Sequence, residues 1–202
     1  MNSPASPPLV VKVGGSLFDR VVPLLDLFRE AGRPVLIVPG GREVRRPRPA
    51  LDVSEDAAHW MAIAGMEQFA WYIASHGIPA TSALALPAEA TVLLPTALSV
   101  KPIPLSHSWD VTSDTIAAWV ARELSADLLL LKSVDGIHHH RKLIARVGGD
   151  PDLVSDEVDP AFIRFVFDHD LRARVVNGRH DERVRSALRG EPVVGTLVDP
   201  RF

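Results

Sequence analysis

Four consecutive leucines at 128–131, set between Asp127 and Lys132, constrain this chain more than any other stretch. A run that is apolar at every position has no polar face to offer water. As a strand it must be covered on both sides, the situation of a central strand in a parallel sheet sandwiched by helices. Upstream lies an alanine-rich segment in which Ile116, Val120 and Leu124 recur every four residues, the spacing of one helix face. Asp110, Thr112, Ser113 and Asp114 lead into it, and Ser113 and Asp114 suit its cap and first turn, where free N–H groups and the helix dipole favour oxygen and negative charge. Downstream, Ser133-Val134-Asp135-Gly136 reads as the strand's exit turn. The unit is helix, strand, then polar loop at the strand's carboxyl end, which is where open α/β sheets bind ligands.

The same pattern recurs. LVVKVGGSLF (9–18) is a β-branched strand running into Gly14-Gly15-Ser16; VVPLLDLFREAG has helical periodicity with Gly32 as its stop; PVLIVPGGREV (34–44) is a second buried strand ending in Gly40-Gly41. One such glycine pair is explained by a tight turn. Two, with Lys12 just before one and Arg42, Arg45 and Arg46 just after the other, point to phosphate binding, because glycine lets backbone N–H groups approach an anion. Lys12 is the hardest residue to explain by folding alone, since a lysine inside a buried strand needs a partner.

Elsewhere, residues 1–8 read as a disordered lead-in to a single domain over 9–202, and 45–53 as a proline-broken connection. Ser54, Glu55 and Asp56 open a helix through residue 75, with Trp60, Met61, Ala64, Phe69 and Ile73 available for burial and Gly77 as its end. Short apolar runs between prolines then give two strands and a loop. Residues 137–158 read as a hydrophilic connection. Within it, His138, His139 and His140 point different ways and lack diagnostic metal spacing, so they are assigned to solvated loop. A helix over 159–171 with Phe162, Phe165 and Val166 inward, a strand at 173–178, a helix ending at Gly190 and a closing strand at 193–198 complete the alternation. The fold class is α/β: a three-layer αβα sandwich with a mainly parallel central sheet.

Composition narrows the chemistry. A net charge of −3 gives no electrostatic case for nucleic acid or an anionic membrane, and the absence of cysteine removes thiol chemistry. No signal peptide or membrane span is evident, which suits a cytoplasmic protein. The G-x-S-x-G, H-E-x-x-H, G-x-x-x-x-G-K-[ST] and G-x-G-x-x-G patterns are missing. What remains is anion-binding loops at strand ends, a lysine in the first strand, and aspartates at 114 and 135. That inventory suits phosphoryl transfer, which needs positioned phosphates and cations more than covalent help.

Together VVKVGGSL, VPGGREV, WDVTSDTIAAWVA, KSVDGI and the closing VVNG…GT resemble the amino-acid kinase superfamily over residues 9–198, in order and spacing. Its members include acetylglutamate, aspartate, carbamate, uridylate and isopentenyl phosphate kinases. The short length and the W-D-V-T-S-D string resemble its methanofuran-biosynthesis branch, which phosphorylates [5-(aminomethyl)furan-3-yl]methyl phosphate. The resemblance implies a carbamate kinase-like fold, ATP and Mg²⁺ as cofactors, a small phosphate-monoester acceptor and a homo-oligomer. It assigns Lys12 and Asp114 to catalysis, and Gly14, Gly15, Ser16, Lys132, Asp135 and Gly136 to ATP. Gly40, Gly41, Arg42, Arg45, Thr112 and Ser113 fall to the acceptor, and no residue is assigned as a metal ligand. Isopentenyl phosphate, a nucleoside monophosphate, or non-catalytic nucleotide or oxyanion binding are the alternatives. Three departures stand out. P-G-G-R replaces the commoner H-G-G-G, Lys132-Ser133 occupies the strand exit, and no second lysine appears around NGRHDE. Arg42 of the P-G-G-R loop, helped by Arg45, suggests an acceptor that already carries a phosphate.

Overall fold

Residues 8–41, 54–96, 105–108 and 110–202 are described by the computed structural model. In chain order they form β1 (Leu9–Val13), a 3-10 helix (Gly15–Arg20), α1 (Val21–Glu30), β2 (Val35–Pro39), α2 (Glu55–Ala74), β3 (Ala80–Thr81) and β4 (Thr91–Leu93). There follow α3 (Ser113–Glu123), β5 (Asp127–Lys132), β6 (His138–His139), β7 (Lys142–Leu143), β8 (Arg146–Val147), α4 (Phe162–Asp168), β9 (Ala173–Asn177), α5 (Asp181–Leu188) and β10 (Thr196–Val198).

The central sheet runs β3-β4-β2-β1-β5-β9-β10-β8. All neighbours are parallel up to β9; β10 pairs antiparallel with β9, and β8 parallel with β10. Strands β1, β2 and the leucine run of β5 are buried at nearly every position, because helices cover both faces. Period-two alternation sorts their side chains into two cores. Val10, Leu36, Leu128 and Leu130 pack under α3 and α4 with Ile116, Val120, Phe162 and Val166. Val11, Ile37, Leu129 and Leu131 pack under α1 and α5 with Leu24, Phe28, Val184 and Leu188. By the same alternation Lys12 and Lys132 project on the α3 side.

Some expectations change. In α2 the inward residues are Ala58, Ile63, Met66, Phe69, Ala70 and Ile73, whereas Trp60 and Met61 are exposed at 40% and 45%. This helix is apolar on nearly every face, so its periodicity could not select one. Ser54 does cap it, accepting from the Ala57 N–H at 3.2 Å. Residues 137–158 are not simply loop: β6 and β7 make a hairpin and β8 joins the sheet. Two-residue strands carry no readable period; they form because Ile137 is pinned by the Thr196 hydroxyl and by the Ile144 N–H, each at 2.8 Å. In α4, Phe162, Ile163 and Val166 are buried, while Phe165 is half-buried and stacked on His169. Residues 1–7, 42–53, 97–104 and 109 lie outside the described residues, and with them most of the expected lead-in and the 45–53 connection. No described helix is long and apolar enough to cross a membrane.

Candidate active site

The carboxyl ends of β2, β1, β5 and β9 lie side by side, and the ladder runs one residue past β2, β1 and β9. Gly40 donates to the Val13 carbonyl at 2.8 Å, Gly14 to Leu131 at 2.9 Å and Gly178 to Lys132 at 2.8 Å. The exit turns are thereby aligned along one edge. From β1 the sheet extends to β2 on one side and β5 on the other, so the crevice between β1 and β5 is a topological switch point. Gly40 has to be glycine: a Cβ there would sit 2.9 Å from the Gly15 nitrogen and 3.2 Å from Cε of Lys12. The close approach lets the two glycine turns nest over the lysine.

At this edge Asp114, in the first turn of α3 and 3% exposed, is shared by two ammonium groups. Lys12 Nζ lies 2.8 Å from one carboxylate oxygen and Lys132 Nζ 2.6 Å from the other. Burial alone would raise the Asp114 pKa, but the two lysines overcome it and hold the carboxyl at about 2. Lys132 is pushed below the usual lysine value by burial and by the neighbouring Lys12 charge, against the pull of Asp114. Lys12, the buried lysine that needed a partner, has one.

A second carboxylate builds the frame. Asp159, buried at 8% exposure, accepts the N–H and hydroxyl of Thr112 and the N–H of Thr115, each at 3.0 Å, together with the Thr115 hydroxyl. Thr112 occupies the cap position of α3 but supplies no capping bond of its own, and Ser113 is already helical. The expected local cap is replaced by one arriving from 47 residues downstream. Burial and the nearby Asp114 charge raise the Asp159 pKa. The Asp159 N–H in turn donates to Asp114 at 3.3 Å, and the Glu157 carbonyl accepts from Lys132.

Beyond β5, Asp135 accepts from Asn177 at 2.9 Å and from Arg183 at 2.6 Å, and these bonds lower its pKa. Gly136 turns inward at a φ of 154°, where a Cβ would meet the Thr196 hydroxyl at 2.6 Å. Its glycine requirement is therefore met by packing. Arg179 bridges both Asp19 oxygens and the Ser16 carbonyl, tying β9's exit turn to the first glycine loop.

On the other side of the lysines lies a cavity of about 270 Å³. Ala58, Ala62, Ile63, Met66, Val111 and Ile116 give it an apolar floor, and Gly41, Glu55, His59, Ser108, Thr112 and Ser113 supply polar groups. His59 stacks on His107 with ring centroids 4.0 Å apart, and His107 pairs with Asp56. Burial and the His107 neighbour lower the His59 pKa against the opposing pull of Asp56, and the net shift favours the neutral imidazole.

The structure thus brings together Lys12, Asp114, Lys132 and the Gly14 and Gly40 turns, and puts Gly41, Thr112 and Ser113 on the cavity wall. Arg42, Arg45 and Arg46 fall outside the described residues. A second lysine, sought near the carboxyl terminus, instead comes from β5. Asp159, Glu157, His59 and Arg183 escaped sequence reasoning. Only Asp159 had a signal, the Asp-Pro before a helix, and that signal reads as a cap for α4. Among the described residues no group of three His or acidic side chains could hold a metal ion.

The profile of the amino acid kinase family matches residues 7–177. The chain is 29% identical to the [5-(aminomethyl)furan-3-yl]methyl phosphate kinase of Methanocaldococcus jannaschii, over 94% of this chain and 96% of that one. A UMP kinase from Bacillus anthracis superposes with a TM-score of 0.70 at 17% identity, covering 96% of each chain. An isopentenyl phosphate kinase superposes at 0.63 with 15% identity, covering 94% of this chain and 99% of the other. At those identities the likeness concerns the fold.

Proposed function

The chain belongs to the amino acid kinase family, and on that premise we propose that it transfers the γ-phosphoryl group of ATP to a small phosphate monoester. The observation that carries this is one buried carboxylate holding two ammonium groups where the glycine turns converge. Lys12 and Lys132 would take up the charge that develops on the transferring phosphoryl group, with Asp114 fixing both. Gly14, Gly15, Ser16 and Asp135 face the nucleotide side. Gly40, Gly41, Thr112 and Ser113 would hold the acceptor, and Arg42 and Arg45, outside the described residues, are assigned to it from the sequence alone.

The protonation state of Asp114 bears on the acceptor. A carboxyl held at about 2 and occupied by two cations is a poor general base. An alcohol acceptor would need such a base. A phosphate monoester, whose second pKa is near 6, arrives ionised and needs only alignment and charge neutralisation. The donor set fits a nucleoside triphosphate, with two ammonium groups at the crevice where the glycine turns converge. No cluster of carboxylates among the described residues would hold Mg²⁺ by itself; bound with the nucleotide, the ion would supply charge neutralisation.

The finer reading is [5-(aminomethyl)furan-3-yl]methyl phosphate as acceptor, going to its diphosphate. The relative that carries this name supports it, as does the small cavity with an apolar floor and a carboxylate, Glu55, among its polar groups. The test is acceptor-dependent ADP formation with this compound, isopentenyl phosphate and UMP, using Lys12→Ala as control. Turnover with the furan phosphate that is lost in the variant supports the reading. Preference for another acceptor replaces the substrate, and tight ATP binding without turnover on any acceptor makes the protein a binder.

A further inference from the structure

The triple-histidine segment takes no part in the transfer scheme above, yet it is tied to it by a continuous set of bonds. Lys132 has three N–H groups. One goes to Asp114 at 2.6 Å and one to the backbone carbonyl of Glu157, leaving a third for ligand. The position of that carbonyl depends on the Glu157 side chain. One carboxylate oxygen pairs with His138 Nδ1 at 2.9 Å; the other accepts from the Ser155 hydroxyl at 2.5 Å and the His138 N–H at 3.4 Å. Burial alone would raise the Glu157 pKa, but Ser155 and His138 hold it below the usual range, so the side chain is ionised at neutral pH.

His138 is itself held firmly. It opens β6, directly after buried Ile137, whose N–H donates to Thr196 in β10 at 2.8 Å. The turn that folds β6 onto β7 places His140 and Arg141 at φ values of 49° and 63°. Both central residues of a tight two-residue hairpin need such values, which glycine or asparagine adopt at lower cost. Side chains kept there persist only where surrounding contacts over-determine the backbone. One residue beyond Glu157, Val158 is buried in the α3 core, and Asp159 then bonds Asp114. The 155–159 segment is therefore anchored to the hairpin on one side and to the catalytic carboxylate on the other.

We propose that Glu157 and His138 are positioning residues, a clasp from the histidine hairpin that aims the Lys132 ammonium at the transferring phosphoryl group. The inference rests on the phosphotransferase reading. Its signature is an effect on kcat that passes through Lys132 and leaves nucleotide affinity in place, because the displaced lysine matters most when charge develops.

The experiment is a double-mutant cycle on Glu157→Ala and Lys132→Ala, with His138→Asn and Glu157→Gln alongside, in the full chain with ATP and the best acceptor. Glu157→Ala should lower kcat on the order of 10-fold, as loss of alignment does, with the KM for ATP changed less than about 2-fold. The loss should vanish in the Lys132→Ala background, and Glu157→Gln, which keeps one oxygen acceptor and the side-chain shape, should recover most of it. Independent, multiplicative losses would overturn the proposal, as would a rise in KM with kcat unchanged. Should Glu157→Ala fail to fold, the same cycle run with His138→Asn decides on the same criteria. A wild-type protein that turns over no acceptor would refute the phosphotransferase reading itself. In that case loss of the clasp should still shift the Lys132 titration followed by NMR, and an unmoved titration would refute the clasp.

Discussion

Replacing Asp114 with asparagine removes one charge without changing size, and the consequence follows from the geometry around it. Both ammonium nitrogens lie within 2.8 Å of this carboxylate. They are therefore roughly 6 Å apart, where two like charges at an effective dielectric of about 20 repel by about 3 kcal/mol. The carboxylate now offsets that repulsion. In Asp114→Asn it does not, and the lysine side chains, only 6% and 16% exposed, cannot relax fully into water. The variant should lose about 3 kcal/mol, in the range seen when a buried charge loses its partner. For a chain of this size that lowers Tm by roughly 6–12 °C. The pH dependence separates charge from packing. Mutual repulsion depresses one lysine below its unfolded value, and the stability tied to that shift is present above the unfolded pKa and lost as pH falls through the folded one. The deficit against wild type should therefore be largest at pH 7 and shrink toward pH 10. Thermal unfolding of both proteins across that range is the assay. A deficit below about 1 kcal/mol, or one equal at both ends of the range, would refute a shared, charge-bearing carboxylate.

The acid limb of the wild type offers a complementary check. Asp114 is depressed to about 2, so its contribution is present above the unfolded carboxylate value and is lost as pH falls from about 4 through 2. That amounts to about 2 kcal/mol, partly offset by Asp159, which shifts upward; Asp114→Asn should flatten this limb in urea titrations. Asp159→Ala removes the acceptor of four donors around Thr112 and Thr115. It should cost about 3 kcal/mol by equilibrium unfolding, with Asp159→Asn milder because one acceptor oxygen remains. Ala62→Phe fills the cavity beside Ile63 and Met66; it should raise the KM of the acceptor at least about 10-fold and leave that of ATP within about 2-fold, a split that steady-state kinetics will measure.

Much of the architecture was legible because it rests on local rules. The leucine run of β5 and the β-branched β1 could be buried only as central strands. Gly32, Gly77 and Gly190, at positive φ, mark helix ends as read. Lys12 announced a buried partner by its own implausibility in a strand. The rest was hidden for identifiable reasons. The α2 helix is apolar all round, so which side faced inward depended on what packed against it, and Trp60 and Met61 came out exposed. The strands β6, β7 and β8 are two residues long, held by bonds to Ile137, Thr196 and β10 that no periodicity encodes.

The sequence alone therefore determined the alternation of buried strands and covering helices, the glycine turns at the strand ends, and the need to neutralise a lysine in β1. Those properties depend on hydrophobic period and backbone chemistry, which are local. Tertiary structure decided that Lys132 would become the second cation on Asp114, that Asp159 would cap α3, and that Glu157 would link the site to the histidine hairpin. Each of those joins residues 18 to 47 positions apart. Contacts at such separation exist only once the sheet order is set and the chain has returned to the same edge.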